Sequence, residues 1–301
     1  MAAITAAPKS EARSQWLDTW QRFFKHKGAV LGMVILGSIF LVVFVGPLIY
    51  RVDPQYIDYR ARSEGPSLAH PFGTDNLGRD IFAQNLAGGR ISLAVGISSM
   101  LISVLIGTLL GMLSGFFRWL DGPLMRLTDL FLALPLLPLL LVTVLLFRDT
   151  LRSAFGPETG IFLLIVSVIG LTSWMNTARV VRGDVLAVRE REFVTAANAL
   201  GAKNARMLWQ HVLPNVLSPV LVSATLGMAN AIITESAVSF LGLGFPPDFP
   251  TWGRLLADGV PFIEQEPGRV IWPGLLISLT VLSVNFIGDG LRDALDPRLR
   301  K

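Results

Sequence analysis

The sequence predicts an all-α polytopic membrane protein with six transmembrane helices and both termini in the cytoplasm. Of its 301 residues, 52% are hydrophobic and only 16% are charged, whereas soluble domains carry about 25% charged residues. Six stretches lack Asp, Glu, Lys and Arg and come close to, or exceed, the roughly 20 apolar residues that a membrane span needs. These stretches are residues 28–50, 91–117, 130–147, 159–178, 207–234 and 270–288.

The positions of Lys and Arg predict the orientation, because these residues concentrate in cytoplasmic loops. With the amino terminus placed inside, 17 of the 26 fall in inner segments and nine in outer segments. The inner segments are 1–27, 118–129, 179–206 and 292–301, and the outer segments are 51–90, 148–158 and 241–269. The net charge of +4 therefore reflects membrane topology, and no nucleic-acid partner is expected.

The spans divide the chain into five parts. We expect a cytoplasmic tail and interfacial helix at 1–27, a first transmembrane helix at 28–50, an extracytoplasmic segment at 51–90, a five-helix core at 91–291 and a cytoplasmic tail at 292–301. Apolar and charged residues mix between Trp16 and Lys27, as in helices that lie at a membrane surface. The first span lacks a flanking signal-peptidase site and is expected to stay as an anchor.

Prolines mark two spans. Pro135 and Pro138 lie in the third span, which is expected to extend back toward Pro123. The fifth span contains Pro214 and Pro219. Proline favours the start of a helix, so we expect the fifth membrane helix to begin after Pro214.

Small residues recur every four positions in the second span, at Ser103, Gly107, Gly111 and Gly115. Such a ladder occupies one helical face and lets another backbone come close. The pattern predicts tight helix packing at this face.

Several chemistries lack their residues in this sequence. The chain has no cysteine, and its three histidines have no metal-ligand spacing, so neither metal nor cofactor is expected. No lysine follows a glycine, and a P-loop requires that pair. A secondary transporter would need a relay of buried ionisable groups, but Glu235 is the one acidic residue in its long apolar run. An enzyme or an ion-driven transporter is therefore disfavoured.

A charged segment, REREFVTAANALGAKNARMLWQHVLPN, interrupts the apolar runs at residues 189–215. It predicts a short helix from Glu192 to about Leu200, with Gly201 as its terminator. One side of that helix carries Phe193, Ala196, Ala197 and Leu200. From the residues alone, an ordinary interfacial helix and a docking site for a soluble partner remain equally open.

This segment resembles the cytoplasmic "EAA" loop of ABC-transporter permeases. The matching residues are Ala196, Ala197, Gly201, Leu213 and Pro214, while Thr195 stands where the family usually has its Glu. The resemblance implies that the loop couples the permease to an ATPase. The implied coupling residues are Glu192, Phe193, Val194, Ala196, Ala197, Leu200, Gly201 and Pro214.

Three more stretches are similar to the C-type permease of dipeptide, oligopeptide and nickel ABC importers. They read HPFGTDNLGRD from His70, FLGLGFPPDFPTWG from Phe240 and NFIGDGLRDALDPRLRK from Asn285. The resemblance implies a type I importer transmembrane domain in a bacterial inner membrane, surrounded by lipid. The implied partners are a second homologous permease subunit, two ABC ATPase subunits and an extracytoplasmic solute-binding protein. Di- or oligopeptides are the favoured substrate, with nickel or another small solute as the alternative.

Five residues of the predicted outer side are candidates for a binding-protein contact or a gate. They are Asp75, Arg79, Asp80, Glu235 and Trp252. Four of them have a structural alternative: Gly, Asp and Asn near Asp75 suit turns, Arg79 suits an ion pair with Asp75 or Asp80, and Glu235 suits a buried hydrogen-bonded position.

Overall fold

The computed structural model describes residues 15–295, which form helices joined by short connections and two longer outer segments. The α-helices are α1 (Gln15–Lys25), α2 (Lys27–Ile49), α3 (Ile81–Phe116), α4 (Arg118–Ala133), α5 (Leu136–Phe155), α6 (Pro157–Leu171), α7 (Trp174–Arg189), α8 (Glu192–Ala199), α9 (Asn204–Arg206), α10 (Leu213–Phe240), α11 (Trp252–Gly259) and α12 (Gly268–Leu295). A π-helical turn, Met207–Val212, joins α9 to α10. The parts of the predicted tails at 1–14 and 296–301 lie outside the described residues.

Six membrane crossings are present when one bent helix pair is counted as a single span. Five helices are long and apolar enough to cross alone: α2, α3, α6 with α7, α9 with α10, and α12. The bent pair is α4 with α5. The predicted number of spans and the all-α class are confirmed.

The second span begins at Ile81 rather than at residue 91. Asp80 caps this helix, because its carboxylate accepts the Ala83 backbone N–H at 2.7 Å. Arg90 then lies inside α3, and its guanidinium donates to the carbonyls of Val43 (3.1 Å) and Phe44 (3.3 Å) on α2. A charged residue does not end the helix when the neighbouring span binds its charge. The helix therefore starts within the segment predicted to be extracytoplasmic, and the boundary of that segment at residue 90 stays a prediction.

The third span is broken rather than straight. It does extend back past Pro123, but α4 and α5 meet at an angle of 83°. Leu134 and Pro135 form the break, where the missing N–H of proline interrupts the helical ladder. The fourth span has a milder interruption at Thr172 and Ser173, between α6 and α7.

The fifth span does not start after Pro214 as predicted. Helical structure runs from Asn204 to Phe240 without interruption. The π-helical turn Met207–Val212 widens the helix just before the proline, and this wider turn relieves the clash of the proline ring with the preceding turn.

The small-residue ladder of α3 packs against α7, as predicted. A Cβ placed on Gly111 would lie 2.6 Å from the Ala178 carbonyl oxygen, and one on Gly107 would lie 2.7 Å from that of Trp174. Successive ladder positions meet successive turns of α7, so the two helices run parallel and in close contact.

The two described ends of the chain lie at one face of the bundle. His26 Nε2, just before α2, is 3.5 Å from Asp293 Oδ2 near the end of α12. Further along α2, a Cβ on Gly32 would lie 2.6 Å from the carbonyl oxygen of Ser283, which precedes Asp293 on α12. Helices α2 and α12 are therefore antiparallel, as an even number of crossings requires.

We predict that Gly111→Ala destabilises the bundle by about 1–3 kcal/mol, because its added methyl group overpacks the contact with α7. The matched control is Gly37→Ala in α2, where nothing lies within 4 Å of the new Cβ. That change should be neutral or stabilising by up to about 1 kcal/mol, since alanine favours helix. Thermal unfolding in detergent measures both, and equal midpoints for the two variants would contradict the prediction.

Candidate functional site: the coupling helix and the outer segments

Helix α8, which we call the coupling helix, ends as the sequence predicts. Gly201 adopts φ +79°, a conformation that glycine takes without strain. Its N–H donates to Asn198 O at 3.0 Å, and the next N–H, that of Ala202, donates to Ala197 O at 3.1 Å. These two bonds form a Schellman motif, which satisfies the last carbonyls of the helix.

Val194 anchors the coupling helix in the bundle. Its side chain is fully buried in an apolar cluster that also holds Met112 of α3, Val185 of α7, Met207 of the π-helical turn and Val216 of α10. Burial of one such side chain contributes about 1.5–3 kcal/mol. The Val194 side chain therefore joins α8 to a cluster shared by three membrane-spanning helices.

The side of the coupling helix that the sequence analysis singled out faces away from the helical bundle. Phe193 and Ala196 are exposed, Leu200 is 89% exposed, and Ala197 is half-buried. Trp209 of the π-helical turn adds a further apolar side chain that is 59% exposed. The two sides of α8 thus differ. Val194 is buried in the bundle, whereas Leu200 is exposed and Phe193 is partly covered by the His211 ring, 6.4 Å away.

The remaining coupling candidates lie around this surface. Glu192 and Thr195 are exposed, and the Thr195 hydroxyl donates to Arg191 O at 3.4 Å. Pro214 is exposed in the first turn of α10, beyond the π-helical turn, so it shapes the path of the chain into the membrane.

Ion pairs that the sequence analysis did not foresee tie α4 to α7 at the inner face. The Arg182 guanidinium binds the Asp121 carboxylate, with one N–O distance of 2.7 Å, and Arg179 binds Asp129. Arg189 donates to the carbonyl of Phe116, at the end of α3, at 3.2 Å. In the sequence, the two acidic residues precede the third span and the two arginines follow the fourth. Only the folded structure shows that these charges lie next to each other.

Asp75 organises the first outer segment. Its carboxylate accepts the backbone N–H groups of Leu77 and Arg79, both at 2.9 Å, and the Arg79 Nε–H at 2.7 Å. Burial alone would raise the pKa of Asp75, but these N–H groups and the positive charge of Arg79 lower it below its ordinary value. Glycines at positive φ, Gly73 and Gly78, form the turns on either side.

Asp80 joins three parts of the outer face. Besides capping α3, it accepts the Tyr50 hydroxyl at 2.6 Å and lies 2.7 Å from His70 Nδ1. Burial and the Asp80 carboxylate raise the pKa of the Tyr50 hydroxyl well above its ordinary value. The end of α2, the outer loop and the start of α3 therefore meet at one buried carboxylate.

Glu235 and Trp252 lie in the interior. The Glu235 carboxylate accepts hydrogen bonds from Ser92 Oγ (3.0 Å) and Ser239 Oγ (2.7 Å). The Trp252 backbone N–H donates to Ser92 Oγ at 3.2 Å, and its indole N–H donates to Asn85 O at 3.1 Å.

The five candidate residues of the outer face differ in their exposure. Glu235 and Trp252 are fully buried, and Asp75 and Asp80 are 2% exposed. In this structure these four side chains are not accessible to a soluble partner, and a contact with a binding protein stays a prediction for them. Arg79 keeps some exposure. A gating role for any of the five stays a prediction.

Six helical crossings, with a short helix packed against one end of the bundle, define a multi-pass membrane protein. The family of binding-protein-dependent transport system inner membrane components matches residues 103–301. The N-terminal transmembrane domain of oligopeptide transport permease C matches residues 14–71. The chain belongs to the family of ABC-importer permeases of bacterial inner membranes.

Relatives cover nearly the whole chain. The dipeptide transport system permease protein DppC of Alkalihalophilus pseudofirmus is 38% identical over 96% of this chain and 92% of its own length. The oligopeptide transport system permease protein OppC of Bacillus subtilis is 39% identical over 96% and 91%. The OppC protein of Haemophilus influenzae is also 39% identical over 96% and 91%.

We predict that Asp75→Asn loosens the first outer segment at neutral pH. A carboxylate with a lowered pKa stabilises the fold above its unfolded pKa of about 3.9, and the contribution is lost as pH falls through the lowered value. The wild-type segment should therefore stay ordered at neutral pH and open only under acid. Hydrogen exchange of the Leu77 and Arg79 amides, corrected for intrinsic rates, measures this.

The matched control is Asp53→Asn, an exposed carboxylate that binds the Gln55 N–H within the same segment. Its exchange pattern at Leu77 and Arg79 should equal that of the wild type. Slow exchange of these amides in Asp75→Asn at pH 7 would contradict the prediction.

Proposed function

We propose that the chain is one of two permease subunits of an ATP-driven, binding-protein-dependent importer of di- or oligopeptides. The relatives reported above are named for dipeptide or oligopeptide transport, which favours peptides over nickel. The sequence has no Gly-Lys pair, so ATP hydrolysis belongs to separate subunits. The proposed assembly contains a second permease, two ATPases and an extracytoplasmic solute-binding protein.

The observation that carries the coupling role is the two-sided character of the coupling helix. Val194 is fully buried among residues of α3, α7 and α10, while Leu200 is 89% exposed. An exposed apolar helix face fits a hydrophobic groove on a partner. The partner that the proposal assigns to this face is an ATPase subunit.

The inner location of the surface supports this assignment. It follows α7, whose last residue, Arg189, bonds to the carbonyl end of α3. Six cationic residues between 179 and 206 place this end in the cytoplasm by the positive-inside rule. ATP is available on that side.

Transport then follows from a difference in binding energy between two conformations. Closure of the ATPase pair on ATP displaces α8, and the cluster around Val194 transmits the displacement to α3, α7 and α10. Interfaces packed this closely shift as rigid bodies, which moves the opening of the path from one face to the other. A coupling free energy of about 1–3 kcal/mol is typical of such a link.

The contact with the binding protein is assigned to exposed side chains of the same outer segments. Tyr56 and Tyr59 are more than half exposed, and Leu68 is fully exposed. Gln55 of the first segment bonds to the backbone of Asp248 in the second, so the two form one surface. The buried carboxylates hold that surface in shape.

We predict that Leu200→Asp uncouples transport. A charge on the outward side should weaken ATPase docking, because it puts a carboxylate into an apolar contact. Uptake of peptide and stimulation of ATP hydrolysis by the loaded binding protein should both fall at least about tenfold, equivalent to a loss of 1.4 kcal/mol. Insertion of the chain into the membrane should be unchanged, since Leu200 packs against little of its own chain.

Thr195→Asp is the matched control, because it adds the same charge to the same helix about 140° away from Leu200. It should retain coupling. Coupled uptake that survives Leu200→Asp in an assembled complex would refute the docking assignment.

A further inference from the structure

A recess of about 480 Å³ opens on the side of the helical bundle. It lies where the break between α4 and α5 meets the interruption between α6 and α7, with α10 as its third wall. Its lining combines leucines with hydroxyl and amide side chains, and contains no charged residue. The polar lining residues are Thr172, Ser173, Asn176, Thr177, Ser223, Asn230 and Thr234.

Two amide side chains in the recess have no partner in the described part of the chain. Asn176 on α7 and Asn230 on α10 are both exposed, and neither side chain forms a hydrogen bond within residues 15–295. An amide without a partner in hydrocarbon costs about 2–7 kcal/mol. Two such groups on one wall indicate that the wall faces water or a polar ligand rather than lipid.

The backbone supports the same conclusion. Helices α6 and α7 are interrupted at Thr172 and Ser173, in the middle of a span that runs from Pro157 to Arg189. Non-helical backbone at this depth is tolerated where protein buries it or where it lines a water-filled cavity. The Thr172 hydroxyl donates to the Val168 carbonyl at 2.6 Å, and the Thr172 backbone N–H donates to the same carbonyl at 3.1 Å. Ser173, the next residue, lines the recess.

We propose that this recess is the chain's wall of the translocation path, and that it holds an extended peptide backbone through neutral amide and hydroxyl groups. The proposal rests on the proposed function as a peptide importer. Asn176 and Asn230 each offer a donor and an acceptor, which are the groups that a peptide bond pairs with. The volume falls within the range of about 300–1,000 Å³ that is typical of sites for small ligands.

The absence of charge from the lining defines the expected selectivity. A neutral wall binds the repeating peptide backbone and does not distinguish peptides by the charge of their side chains. Peptides with acidic and basic side chains should therefore cross this wall with similar efficiency once the binding protein has delivered them.

The absence of cysteine from the sequence permits a direct test of water access. Ser173→Cys and Ser223→Cys exchange one atom and should fold normally, and Asn230→Cys adds a third position. The assembled importer, in lipid nanodiscs, is treated with a charged methanethiosulfonate reagent, with and without ATP. Only a hydrated thiol forms the reactive thiolate, so these cysteines should react at least about tenfold faster than Leu41→Cys in at least one nucleotide state.

Leu41→Cys is the control because Leu41 lies on the side of α2 that faces away from the bundle. There it is 62% exposed, and lipid excludes the reagent. Rates in the recess equal to the control rate, in both nucleotide states, would overturn the assignment. Unreactive cysteines in a complex that imports peptide would overturn the recess alone. Reactive cysteines in a complex that imports no peptide would overturn the proposed function, and the peptide path with it.

A second experiment tests the chemistry of the wall. Uptake is compared for two tripeptides of alanine with a central lysine or a central glutamate, each normalised to its affinity for the binding protein. The wild-type ratio should be close to one. Asn230→Asp should shift it toward the lysine peptide and Asn230→Lys toward the glutamate peptide, each by at least about threefold, because charges act strongly in a partly desolvated site. The same uptake ratio in Asn230→Asp and Asn230→Lys would overturn the proposed contact.

Discussion

The requirement that every backbone N–H and C=O be paired inside the bilayer governs this structure. It makes the spans helical and makes each interruption informative. The break at Leu134 and Pro135 and the one at Thr172 and Ser173 open onto the same recess. Interruptions that met lipid would leave polar groups without partners. Their meeting at one polar cavity explains how this bundle tolerates two of them.

Helix α3 connects the two faces of the molecule. At its outer end Asp80 caps the helix and binds Tyr50 and His70. Toward its inner end the glycine ladder lies against α7, too close for any added side chain. In the same segment, Met112 shares a cluster with Val194 of the coupling helix. One helix of 36 residues therefore connects the outer segments to the coupling surface, and it is closely packed along that length.

The sequence predicted features that depend on local chemistry, and missed those that depend on tertiary partners. The six apolar runs, the ladder on α3 and the termination of α8 at Gly201 follow from composition, spacing and the conformational freedom of glycine. The start of α3 at Ile81 could not be read locally, since Arg90 enters the span only because carbonyls of α2 accept its N–H groups. The burial of Trp252 likewise depends on Ser92 and Asn85, 160 or more residues away.

Thr195 sharpens the account of coupling. The Thr195 hydroxyl donates to the Arg191 carbonyl of its own helix at 3.4 Å. The attachment of α8 to the bundle uses Val194 and its apolar neighbours, which need no charge. Burial of that side chain contributes about 1.5–3 kcal/mol, similar to the roughly 1–3 kcal/mol typical of coupling between two sites. Packing of this size matches what the proposed coupling would need, and the attachment of α8 to the bundle in this structure involves no carboxylate at position 195.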